Sequence, residues 1–181
     1  MNRNVAKGLV LAVVHVAMVA SLGAKLLIDR AAYPRVWTRA TPVDPNLPIR
    51  GRYVLLRLEA TVGAGLDLSL PAPVVSGART FTPPAQPRPV VLSAEDGALV
   101  ARPASQGGDA LMAHARQYDG RVVAELETPV AYFIPDQVPD PSRRSAGEEL
   151  WVEVTIPPRG APRPIRIGVK KDGVLTALDL R

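Results

Sequence analysis

The sequence predicts a mainly β protein: one N-terminal transmembrane helix followed by a small antiparallel β-barrel or β-sandwich domain. Three observations carry this. The chain opens on a long apolar run without charge, its prolines are grouped so that no long helix fits between the groups, and three Asp-Gly pairs separate segments whose apolar residues alternate.

The apolar run extends from Gly8 to Ala24, 17 residues, with Arg3 and Lys7 before it and Lys25 after it. At ~1.5 Å per residue this is roughly 25 Å, and including Leu26 to Ile28 it approaches the ~30 Å of a hydrocarbon core. Residues 1–28 therefore form the expected anchor, with residues 8–28 in the lipid bilayer. The competing reading is a cleaved signal peptide ending at Leu22-Gly23-Ala24, where leucine stands at a position that favours a small residue. Basic residues flank both ends, so the positive-inside rule alone assigns no orientation. The export-type N-terminus places the following domain in the periplasm or otherwise outside the cytoplasm, as a single-pass protein of the inner membrane. His15 lies mid-span.

No proline precedes Pro34, and prolines then cluster at 34–48, 71–89, 129–141 and 157–164. A helix interior rejects proline by ~3 kcal/mol, so these clusters are expected as loops or connectors. Residues 29–48 make an extended tether and 71–89 a long mobile loop, with the β-rich domain over 49–181. Between the clusters the period is two. Val54, Leu56, Leu58 and Ala60 share one face, as do Val122, Ala124 and Leu126. So do Leu150, Val152, Val154 and Ile156, and again Ile165, Ile167 and Val169. Asp96-Gly97, Asp119-Gly120 and Asp172-Gly173 suit type I′ turns, whose two central residues take positive φ. They predict hairpins over 88–102, 110–127 and 164–180. Ala110 to Arg116 has some helical propensity but is assigned to a strand, because a helix there would abut a turn.

Composition excludes more than it suggests. There is no cysteine, so disulfides, iron–sulfur clusters and thiol nucleophiles are absent together. Of the formal charge of +5, the first 28 residues contribute three, leaving 19 basic and 17 acidic residues elsewhere. Nucleic-acid binding needs a concentrated basic face, and the sequence offers none. No Gly-x-Ser-x-Gly surrounds a serine, Gly107-Gly108 lacks the lysine of a phosphate loop, and His114 has no second histidine for a metal. Glu125 with Glu127 and Glu148 with Glu149 are expected as solvated edges. No cofactor, metal or enzymatic reaction is expected.

One pattern remains. Pro42-Val43-Asp44-Pro45 is followed by Arg50-Gly51-Arg52-Tyr53-Val54-Leu55-Leu56-Arg57-Leu58, and later by Tyr132-Phe133-Ile134-Pro135-Asp136. The combination resembles the GDYXXLXY-domain family of bacterial membrane-anchored proteins, over most of the chain. Arg52 stands where the family carries an acid and Leu58 where it carries a tyrosine. The resemblance implies an accessory module with a multi-pass membrane protein as partner, and no reaction. Candidate binding residues are Asp44, Arg50, Gly51, Tyr53, Tyr132, Phe133 and Pro135. Gly51 suits a turn, Asp44 a pairing with Arg50, and Tyr53 is expected to pack beside Tyr132 or Phe133, one of which points inward and the other outward. An extracytoplasmic domain binding a small ligand is the alternative function, and an anchored hydrolase a further one.

Overall fold

A computed structural model describes residues 3–43, 52–76, 79–83, 85–104 and 110–180. It divides the chain into two units, Met1–Tyr33 and Pro34–Arg181.

The first unit is one helix, α1 (Arg3–Ala32). Its segment Lys7–Asp29 has a mean hydropathy of 2.1 and is long and apolar enough to cross a membrane. Val10, Val16 and Leu27 are among the apolar side chains it exposes. His15 Nδ1 meets the Leu11 carbonyl at 2.8 Å, one turn back.

The second unit is a β-domain of twelve strands, β1 (Arg35–Val43), β2 (Tyr53–Val62), β3 (Val74–Ser76), β4 (Arg79–Phe81), β5 (Arg88–Glu95), β6 (Ala98–Pro103), β7 (Leu111–Tyr118), β8 (Arg121–Leu126), β9 (Val130–Phe133), β10 (Glu148–Thr155), β11 (Arg163–Lys171) and β12 (Val174–Ala177). Ten of them form one sheet, while β3 and β4 pair separately. The fold class is thus the expected one, an apolar helix followed by a mainly antiparallel β-domain.

β2 organises the sheet. Its first half runs between β1 and β9, and its second half meets β8 and β6. The pairings β2–β6–β5–β7–β8–β2 return to their start, so part of the sheet rings. The β2–β6 contact, Thr61↔Val100 and Val62↔Ala101, is parallel. On the other side β1 leads through β10 and β11 to β12.

The three Asp-Gly hairpins are present as β5–β6, β7–β8 and β11–β12. Asp96, Asp119 and Asp172 have φ of 49°, 47° and 50°, and the following glycines have φ of 77°, 73° and 82°, as a type I′ turn requires. The segment 110–116 falls in strand β7.

Two connectors differ from expectation. Of the stretch 29–48 assigned to a tether, residues 29–32 continue the helix and Arg35–Val43 is a strand inside the sheet. Val36 and Ala40 join the core there. Pro42 lies near the end of that strand, where it is exposed. The 71–89 stretch carries the β3–β4 pair and the start of β5 rather than one continuous loop.

The core is where the alternation put it. Val54, Leu56, Leu58 and Ala60 of β2 are buried, as are Leu150, Val152, Val154 and Ile156 on β10 and after it, and Ile167 of β11. Ala124 and Leu126 are buried too, but Val122, at the hairpin mouth, is exposed.

Candidate functional site

The two sequence motifs meet. Tyr53 and Phe133 are cross-strand partners in β2 and β9, with ring centroids 6.1 Å apart and planes inclined at 52°. Phe133 is 66% exposed, whereas Tyr132, one residue earlier, packs against the core. The alternation of a strand makes one ring structural and presents the other.

Arg52 joins the motifs directly. Its backbone carbonyl accepts the Ile134 N–H at 3.0 Å. Its Nη1 donates to the carbonyls of Asp136 and of Val138, the latter at 2.9 Å, with that of Pro135 at 3.5 Å. A guanidinium suits a cluster of carbonyl oxygens as a carboxylate would not, which gives the arginine at this position a structural task. Asp44, Arg50, Gly51 and the Asp44–Arg50 pairing lie outside the described residues.

A second constellation lies on the face of β1, β2, β7, β8, β10 and β11 that is opposite the apolar one. Glu59 and Glu125 are register partners on β2 and β8, and both are buried, at 5% and 3% exposure. Two carboxylates facing each other across a ladder repel, so each needs cations. Arg39 reaches both Glu59 oxygens through Nη1, at 2.6 and 2.8 Å, and Thr41 donates to Glu59 Oε1 at 3.1 Å. Arg116 donates to Glu125, and Arg57 and His114 approach Glu125 at 3.6 and 3.4 Å. The Arg116 pKa is raised by its bond to Glu125, partly offset by burial.

Glu125, expected at a solvated edge, is therefore the centre of an ion cluster; Glu127 is exposed as expected. Glu149 also departs from that expectation, accepting hydrogen bonds from Tyr118 Oη and, at 2.9 Å, from Trp151 Nε1. Burial works to raise its pKa, but those two donors and nearby Arg39 and Lys170 outweigh it and the net shift is downward. The same bond to Glu149 raises the Tyr118 pKa. Glu148 faces Lys171 at 3.6 Å.

Beside this cluster opens a cleft of about 270 Å³. Ala60 and Leu99 are among its lining residues. Trp37, Trp151 and Tyr118 line it, with Arg39 and Glu59, and Asp119 and Arg121 come from the hairpin turn. Each ring has a cation over it: Arg39 on Tyr118 at 3.4 Å, Lys170 on Trp151 at 4.6 Å and Arg166 on Trp37 at 5.7 Å. Trp37 rests on Gly168, where a Cβ would come within 2.9 Å of the indole. Arg166 is in turn held by Glu153 at 2.7 Å.

Among the described residues no three His, Asp or Glu side chains converge on a metal position. The cluster's carboxylates are each engaged by cations or hydrogen-bond donors. No family model, no curated protein and no solved structure matches the chain.

The sequence carried a signal for this face that the motif search passes over. Trp37-x-Arg39, Arg57-x-Glu59, His114-x-Arg116 and Glu149-x-Trp151-x-Glu153 all place charge or aromatic groups at alternate positions. Runs of that kind on several strands together indicate a covered polar face.

Proposed function

We propose that the chain is a membrane-anchored accessory or interaction module. Its β-domain acts outside the cytoplasm, held to the inner membrane by one uncleaved span, and its partner is a multi-pass membrane protein. The observation that carries the reading is the helix segment Lys7–Asp29, with its mean hydropathy of 2.1 and exposed apolar side chains. Such a surface is costly in water, at roughly 25 cal/mol per Å², and a bilayer removes that cost. An N-terminal signal sequence has the same composition, so cleavage is the decisive alternative.

The partner reading draws on the resemblance to GDYXXLXY-domain proteins and on the motif patch. Phe133 is held outward on a strand anchored to Arg52 and Tyr53, and exposed aromatic rings are enriched where proteins meet. Fusing alkaline phosphatase and a fluorescent protein in turn to the C-terminus tests the placement. Phosphatase activity without fluorescence supports an extracytoplasmic domain. The reverse pattern rejects it.

A further inference from the structure

We infer that the cleft between Trp37, Tyr118 and Trp151 binds a small planar aromatic anion, an electron-rich ring bearing a carboxylate. This goes beyond the interaction reading and does not depend on it.

Size sets the first limit. At about 270 Å³ the cleft is at or below the ~300–1,000 Å³ of usual ligand sites, which suits one or two fused rings. Its surfaces set the second. Three aromatic side chains, with Leu99, Val122 and Val123 also among the lining residues, favour a flat apolar guest.

Charge sets the third limit. Aromatic enclosures commonly hold cations, but here every ring already has one from the protein, Arg39, Lys170 or Arg166. A cationic guest would compete with these side chains for the same ring faces. A cation over one face of a ring also draws π density towards itself. The quadrupole that ordinarily makes two ring faces repel is then weakened, and stacking on an electron-rich ring is favoured.

The anchor for the acid is Arg121. Arg39 is committed to Glu59 and Arg166 to Glu153, whereas the Arg121 side chain is exposed at the turn and makes no ion pair or hydrogen bond to another described residue. An exposed guanidinium lining an aromatic cleft fits a carboxylate through two parallel bonds. Asp119, also lining the cleft, opposes an anion and limits its affinity.

The chain's two tryptophans both line the cleft, so intrinsic emission reports occupancy. The full-length protein in lipid nanodiscs is titrated with 4-hydroxybenzoate and indole-3-carboxylate. Controls are cyclohexanecarboxylate, which has the charge without the ring, and benzyltrimethylammonium, which has the ring with the opposite charge. The aromatic acids should saturate near or below about 1 mM, at least tenfold tighter than both controls, a gap of about 1.4 kcal/mol. Arg121→Ala, at an exposed turn position, should weaken them about tenfold, and Asp119→Asn should tighten them, since asparagine tolerates the same positive φ. Equal binding of cyclohexanecarboxylate, tighter binding of the ammonium ion, or no effect of Arg121→Ala would each overturn the assignment. So would the absence of both an emission change and calorimetric heat with either aromatic acid. A cleaved chain off the membrane should give the same titration, so failure of the anchor and failure of the cleft are separately visible.

Discussion

Replacing Arg39 by methionine should destabilise the β-domain far more than replacing Arg39 and Glu59 together. Glu59 is 5% exposed and lies opposite Glu125. Its direct counter-ion is Arg39, at 2.6 Å with a side chain 22% exposed, while Arg116 is 3.6 Å away. Removing Arg39 leaves a buried carboxylate facing a second one. Because Arg116 and the Thr41 hydroxyl remain, the expected loss is about 3 kcal/mol, the lower end for breaking a buried pair. At roughly 2–4 °C per kcal/mol for a domain near this size, the melting temperature should fall by about 6–12 °C. Methionine keeps an apolar contact with the Tyr118 ring, so the loss reports charge rather than a cavity. Replacing both residues, Arg39→Met with Glu59→Leu, removes the buried charges together and should return stability to within about 1 kcal/mol of wild type. The assay is urea unfolding followed by tryptophan emission, since Trp37 and Trp151 adjoin the cluster. A single variant that loses less than about 1 kcal/mol, or a double variant as unstable as the single one, would show that buried Glu59 does not depend on Arg39 for charge compensation.

Three other expectations follow from the same geometry. Phe133→Ala should cost no more than about 1.5 kcal/mol, because the ring is 66% exposed and an aromatic pair adds only about 0.5–1.5 kcal/mol; co-purification of a membrane partner should be lost nonetheless, measured beside the unfolding curve. Gly97→Ala places a Cβ at φ 77° and should cost about 1–2 kcal/mol in the same unfolding assay. Glu95, bonded to Arg102 and then Ser93, has its pKa lowered from 4.5 to about 2, so the unfolded chain takes up the proton first. Its stabilising effect is therefore complete above pH 4.5 and is lost as pH falls through about 2. The melting-temperature gap between wild type and Glu95→Gln should shrink over that window, and should be smaller in high salt because the pair is on the surface.

The hairpins and the apolar face were legible because their signals are local. Asp-Gly demands a turn whatever surrounds it, and Val54, Leu56, Leu58 and Ala60 alternate without interruption. Strand β1 was hidden by its prolines. Val36, Thr38 and Ala40 alternate inward against Trp37 and Arg39, but Pro34 and Pro42 at its two ends marked the stretch as a connector. The parallel β2–β6 contact joins segments nearly forty positions apart and leaves no local trace. The buried carboxylates were missed for a related reason. Glu59 and Glu125 alternate outward as solvated residues do, and only the register between strands brings Arg39, Arg57 and Arg116 over them. That Tyr53 packs beside Tyr132 or Phe133 was legible because the three belong to short motifs with few other aromatics in the chain to pair with; which of the two it meets is set by the β2–β9 register.

The most direct test of the account is the state of the N-terminus in the membrane. The full-length chain, expressed in a bacterial host, is separated from membranes by alkaline carbonate and its intact mass is measured, with protease added to spheroplasts before fractionation. The account predicts a chain retaining its first residues and Lys7–Asp29, found in the carbonate-resistant membrane fraction, with the β-domain digested from outside. A carbonate-soluble chain beginning at Lys25 would contradict it.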